Sequence, residues 1–199
     1  MNMLKISILA HGFITSTYAP MKCLNIDFIR SFPNQGYTLV IVCTFNRWVR
    51  LYRTSDATAL SAAECHLKHF NRYGEPHQVR SDNGPHFIAD VIREFLLVVG
   101  VSHCLTLANT KEDNAVVKRY NKKINRHFHA LTFDNLSFTD YKKSLPFVQR
   151  ISNSNQSDRL KISASQMLFD KMPNLDAGIF TPKSERPSSS ALSYYMSNL

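Results

Sequence analysis

The feature that most limits what this chain can fold into is a pair of short apolar runs with a carboxylate inside the first. Residues 24–29 and 37–45 are rich in Ile, Val, Leu and Phe, and Ser-Phe-Pro-Asn-Gln-Gly separates them at 31–36. Runs this short and this rich in β-formers, split by Pro, Asn and Gly, read as two strands of a hairpin. Residues 48–54 read as a third strand. Asp27 falls within the first run, where a carboxylate is costly unless it is paired or bound to a metal.

Helical periodicity follows. Leu60, Ala63, Leu67 and Phe70 fall at helical spacing between Thr58 and a stop at Gly74, with Pro76 beyond. Gln78-Val79-Arg80-Ser81 is a short strand ending on Asp82. Ile88, Ile92, Phe95 and Val99 mark a second helix closed by Gly100, and 101–107 is a last strand. A third helix begins near Asp113 or Asn114 and carries Val117, Tyr120, Ile124, Phe128 and Leu131 on one face; a fourth covers 138–152. Three antiparallel strands followed by alternating helix and strand define an α/β fold, a mixed five-stranded sheet flanked by helices on both faces. Trp48 is expected to pack where a helix covers the sheet. At 199 residues the chain can bury one sizeable core.

A net charge of +9 and a pI near 9.5 favour a polyanionic partner, nucleic acid before membrane, although a merely basic surface has the same composition. Cys23, Cys43, Cys65 and Cys104 lack the C-x-x-C spacing of a zinc cluster, and reduced thiols of an intracellular protein are the expectation. Residues 4–18 faintly echo a signal peptide, but His11, Thr15, Ser16 and Thr17 break the apolar run, so secretion is not expected. No stretch approaches the roughly 18 apolar residues needed to span a bilayer.

Charge concentrates on the third helix. Lys118, Lys122 and Arg126 recur every four residues, with Arg119 and Lys123 beside them, opposite the apolar stripe. A solvated face is the ordinary explanation of such a run. Like charges at i,i+4 are mildly destabilising, however, so five basic residues without an acidic partner point to contact with DNA or RNA. His127 and His129 flank Phe128 and are read as surface residues. Asp82, beside an Asn-Gly turn, has the dull alternative of a turn residue or cap.

Three segments in order carry a resemblance: Leu24-Asn25-Ile26-Asp27-Phe28-Ile29, Arg80-Ser81-Asp82-Asn83-Gly84-Pro85 and Asn114-Ala115-Val116-Val117-Lys118-Arg119-Tyr120-Asn121. They resemble the integrase catalytic core of LTR retrotransposons and retroviruses, gypsy-type elements above all. The signature there is two Asp and one Glu, the last pair separated by about the 35 residues that lie between Asp82 and position 118. Residues 38–54 and Phe70-Asn71-Arg72-Tyr73-Gly74-Glu75-Pro76 add further blocks, and the likeness runs from roughly Tyr18 to Phe180.

The resemblance implies a ribonuclease-H-like fold and phosphoryl transfer, 3′-end processing and strand transfer of DNA, with two Mg²⁺ (or Mn²⁺) ions on the attacking and leaving oxygens. It makes Asp27 the bridging metal ligand and Asp82 the second. Lys118 stands where the family has its catalytic Glu, and an ammonium cannot replace the hard oxygen ligand that Mg²⁺ demands. At about 100° per residue, Glu112 and Asp113 do not share the face of position 118, whereas Asn114 does. Lys122 matches a basic position that grips the donor DNA end. Arg30 stands where a Gly is common, and Cys43 where many members have Asp.

The implied partners are retroelement ends and target DNA, with a homodimer or higher oligomer, no membrane, and a nuclear site of action after the cytoplasm. The chain divides into a leader (1–22), a core (23–152), a helical post-core segment (153–180) and a disordered Ser/Pro-containing tail (181–199). It is read as a core without the flanking zinc-binding and C-terminal modules, catalytically impaired at position 118. The alternative is a co-opted, non-catalytic module for nucleic-acid binding or dimerisation.

Overall fold

A computed structural model describes residues 19–30, 36–106, 115–133, 141–156 and 161–169. Strand β1 (Cys23–Ile29) pairs antiparallel with β2 (Tyr37–Cys43), and β2 pairs antiparallel with β3 (Val49–Thr54). On the other side β1 pairs parallel with β4 (Gln78–Ser81), and β4 parallel with β5 (Ser102–Leu105). The order β3-β2-β1-β4-β5 is the mixed five-stranded sheet expected from the chain's run of elements. The parallel half needs helical crossovers, and α1 (Ala59–Tyr73) and the pair α2 (Pro85–Ile88) and α3 (Asp90–Val98) supply them.

Side-chain alternation divides the core in two. Leu24, Ile26, Leu39, Ile41, Cys43 and Val79 face α1, α2 and α3, where Phe70, Phe87, Ile92 and Leu96 close the layer. Ile29, Val40, Val42, Val49 and Leu51 face the opposite way. There α4 (Ala115–Phe133) brings Val116, Val117, Ile124 and Phe128, and α5 (Tyr141–Ser154) brings Val148. With helices on both faces, β2 is buried at every position from Thr38 to Cys43 and reads as a continuous apolar run.

Two of the expected helical faces are rotated. On α1 the buried residues are Ala62, Cys65, His66, His69 and Phe70, while Leu60 and Leu67 are 64% and 50% exposed. The histidines are the reason. His66 packs edge-on to Phe70, and His69 leans on Tyr73, so neutral imidazoles fill places that a hydropathy pattern assigns to leucine. The helix otherwise keeps its expected ends: Thr58 accepts a hydrogen bond from the Ser61 N–H at 3.2 Å, and Gly74, at φ 79, closes it. The second expected helix is broken at Ala89, whose extended backbone resets the phase. Ile92 and Leu96 are buried, Phe95 and Val99 are half-buried, and Ile88 is 49% exposed.

On α4 the expected stripe holds at Val117, Ile124 and Phe128, with Tyr120 half-buried. The last strand is shorter than expected, although the Thr106 N–H still donates to the Ser81 carbonyl. Trp48 packs against the α1 side, donating to the Tyr73 hydroxyl at 3.3 Å and meeting Phe169 edge-on. Phe169 ends α6 (Ala164–Phe169), within the expected post-core segment. The tail at 181–199, residues 1–18 of the leader and Asn114 lie outside the described residues.

Candidate functional site

The site is built where β1 and β4 end side by side. Their parallel register pairs Asn25 with Arg80, and carried two residues further it sets Asp82 opposite Asp27. In open α/β sheets, ligands collect at the carboxyl ends of such strands. Asp27 also faces α4, because it alternates with Ile26 and Phe28, which point to the opposite core.

Asp82 is fixed by its own loop. Its Oδ1 accepts the Gly84 N–H at 3.0 Å. A Cβ at position 84 would sit 2.8 Å from the His86 ring and 3.0 Å from that same oxygen, so any larger residue would push one of these side chains aside. Behind it, the buried Ser81 hydroxyl donates to the Asp82 carbonyl at 2.9 Å and lies 2.9 Å from His103 Nε2 on β5. His86 packs edge-on to Phe28 beside the same loop.

Asp27 is held from α4. The Asn121 Nδ2 donates to its Oδ2 at 2.7 Å. Burial first, and the neighbouring Asp82 charge second, push the Asp27 pKa up to about 6; Asn121 and the Lys118 ammonium pull against that shift. Two carboxylates at adjacent strand ends repel, and that repulsion is what a bound cation would relieve.

The remaining expected residues all lie on α4. Lys118 is exposed one turn before Asn121, and Arg119, Lys122 and Arg126 are exposed beyond it. Lys123 is half-buried, with its ammonium 5.8 Å from the centre of the Tyr120 ring. Opposite this row the helix is fastened by Val117, Ile124 and Phe128, so packing aims the basic face outward. His129 is exposed, as expected, and His127 is half-buried with its Nε2 shielded from solvent.

Tested against a pair of divalent cations, these residues do not fit. Asp27 and Asp82 offer oxygens for one hard cation, but Lys118 carries no lone pair to give, and the Asn121 amide already points its N–H at Asp27. Among the described residues, no three His, Cys, Asp or Glu side chains converge on a point. The sequence reading missed Asn121, Ser81 and His103. Asn121 had a signal, since a residue three places after 118 shares its helix face. Ser81 and His103 had none, because only the β4–β5 register brings them together.

Residues 17–110 match the family model described as Integrase core domain. The Pol polyprotein of Feline endogenous virus ECE1 is 29% identical over 154 residues, covering 75% of this chain and 14% of that protein. The Gag-Pol polyprotein of Feline leukemia virus is 33% identical over 134 residues, 65% of this chain and 8% of its own length. The chain thus spans about a tenth of the length of the polyproteins it matches. Among solved structures, a chain of a simian T-cell lymphotropic virus intasome superposes with a TM-score of 0.73 at 18% identity, covering 82% of this chain and 59% of that one. The HTLV-2 integrase catalytic core domain in complex with magnesium gives 0.64 at 17% identity, covering 75% of this chain and 97% of its own. The fold is therefore the ribonuclease-H-like fold of integrase cores, and residues 17–110 are similar to the integrase core domain carried by retroviral polyproteins.

Proposed function

We propose that this chain is an integrase core that binds nucleic acid and whose DNA integration chemistry, 3′-end processing and strand transfer, is impaired at position 118. The observation that carries the reading is the juxtaposition of Asp27 and Asp82 with an exposed Lys118 one turn from Asn121. The two aspartates are the metal ligands that remain, and Lys118 takes the place of the family's Glu. Any divalent cation, Mg²⁺ or Mn²⁺, is held weakly by two carboxylates beside a fixed positive charge. Lys118, Arg119, Lys122, Lys123 and Arg126 form the face that meets the DNA backbone, with retroelement ends and target DNA as the partners and the nucleus as the place of action. Like-charge density on an exposed helix face supports that contact.

The test is strand transfer and its reversal on labelled DNA, with Mg²⁺ and with Mn²⁺, comparing the chain with Lys118→Glu. Activity gained only in the Glu variant supports the reading; equal rates in both overturn the impairment. A second reading is a non-catalytic nucleic-acid module, which the same exposed helix face favours. In that case DNA affinity falls steeply with salt, and Lys122→Ala with Arg126→Ala flattens the dependence by about 0.9 log units per lost phosphate contact. Affinity indifferent to salt and to both substitutions sinks it.

A further inference from the structure

The turn joining β2 to β3 holds two unmade hydrogen-bond donors beside the basic helix. Asn46 is 1% exposed; its Oδ1 accepts the Trp48 N–H at 3.1 Å, while its Nδ2 is buried and has no partner. The next residue, Arg47, is held at φ 62 by the turn, its N–H donating to the Cys43 carbonyl at 3.1 Å, and its Nη1 is likewise buried and unpartnered. Desolvated donors left unmade each cost about 1–3 kcal/mol, so two in adjacent residues need a reason.

Their surroundings supply one. Arg47 and Arg119 both lie within electrostatic reach of the half-buried Tyr120 hydroxyl, and Lys123 leans on the ring of the same tyrosine. No acidic group figures among the influences on Tyr120. Among the described residues, the acids other than Asp27 and Asp82 belong to α1, α3 and the segments beside them: Asp56, Glu64, Glu75, Asp90 and Glu94. Among the described residues, Arg47 therefore lies in basic company with no acidic side chain beside it.

We infer that Asn46 and Arg47, with Arg119 of α4, form an anion site for one phosphodiester of a nucleic-acid backbone. A guanidinium, an amide N–H and a second guanidinium suit a tetrahedral oxyanion, and the site is separate from the carboxylate pair. Asp27 pairs with Val40, whereas Arg47 lies beyond Cys43 at the far end of β2. At about 3.3 Å per residue along the strand, the two positions are on the order of 10–20 Å apart, which is a spacing of a few phosphates along one strand. The site deepens the nucleic-acid reading by giving the bound strand a second anchor and a direction across β2 and α4.

Arg47→Gly is the informative variant, because a left-handed backbone favours glycine and the fold is kept while the guanidinium goes. Asn46→Asp retains the acceptor for the Trp48 N–H and replaces the free donor with a negative charge. The affinity of the full chain for a fluorescent DNA duplex is measured against NaCl, and its Tm against inorganic phosphate. The expected result is a log–log salt slope shallower by about 0.9 in Arg47→Gly, weaker binding still in Asn46→Asp, and a phosphate-induced rise in Tm lost in both. If both variants match the unaltered chain in DNA affinity, slope and phosphate response, the site is overturned. If the unaltered chain ignores DNA but its phosphate response depends on Arg47, the nucleic-acid reading falls and only a free-phosphate site stands.

Discussion

Asn153→Ala tests how the open edge of the sheet is closed. Among the described residues, strand β3 has no strand beyond it, yet Val49 and Leu51 are buried. Helix α5 takes the place of a sixth strand with two side-chain amides. Asn153 accepts the Val49 N–H at 2.7 Å and donates to the Val49 carbonyl at 2.9 Å, and Gln149, one turn earlier, accepts the Leu51 N–H at 3.0 Å. Removing the Asn153 amide leaves a buried donor and a buried acceptor unmade, at about 1–3 kcal/mol each, so the loss is about 2–6 kcal/mol, centred near 4. That is a large share of the ~5–15 kcal/mol by which a domain is stable. Gln149→Ala releases one donor beside a half-buried side chain that water reaches, and costs about 1 kcal/mol. Urea unfolding followed by Trp48, the sole tryptophan and the neighbour of Val49, reads both. With a slope of about 2 kcal/mol/M, the Asn153 variant shifts its midpoint by about 2 M and the Gln149 variant by about 0.5 M. A loss below 1 kcal/mol for Asn153→Ala, or equal losses for the two, refutes the claim that amides stand in for a strand.

Three further outcomes follow from the core and the site. Burial pulls the His66 pKa down to about 4 and that of His69 to about 3, so in the folded state both stay neutral where the unfolded chain would be protonated. Their stabilisation is complete above pH ~6.5 and is lost as pH falls towards 4; unfolding at pH 5 against pH 7.5 should lose on the order of 2–4 kcal/mol, and disappearance of that loss in His66→Phe/His69→Phe would confirm the source. Asp27, raised to about 6 by burial and by Asp82, acts in the opposite direction. Its charge destabilises the fold above pH ~6 and the loss is recovered as pH falls, so Asp27→Asn should gain on the order of 2–3 kcal/mol at pH 7.5 in EDTA, measured by urea unfolding. Phe128 is buried beneath α4, and Phe128→Ala should cost about 3–5 kcal/mol in the same assay and lower DNA affinity with it.

What the sequence made legible, and what it hid, follows the physics of each element. Strands and turns were readable because their apolar runs are short and punctuated by Pro, Asn and Gly, and β2 is buried on both faces. The α4 stripe was readable because Val117, Ile124 and Phe128 repeat at helical spacing with basic residues opposite. The α1 face was misplaced because His66 and His69 are counted as polar, although burial keeps them neutral and aromatic contacts use their rings. The break at Ala89 left no sequence mark, so two short helices read as one. At the site, Asp27 and Asp82 could be named from their settings, but the Asn121 amide on Asp27 and the Ser81–His103 contact depend on packing and strand register.

The same packing explains why the charge at position 118 can be of either sign without disturbing the fold. Helix α4 does three separable jobs: its apolar stripe covers β1 and β2, Asn121 holds Asp27, and the opposite face carries the basic row. Lys118 belongs to the last of these and is exposed, so neither the stripe nor the Asn121 contact depends on its charge. An acid at that position would repel the Asp27 and Asp82 carboxylates unless a cation lay between them. A lysine instead offsets part of that repulsion. On the proposed reading, a lysine in place of a metal ligand would also lessen the need for a cation between the two carboxylates. Lys118 adds one more positive charge to the face proposed to meet DNA, so on that reading binding would persist without integration chemistry.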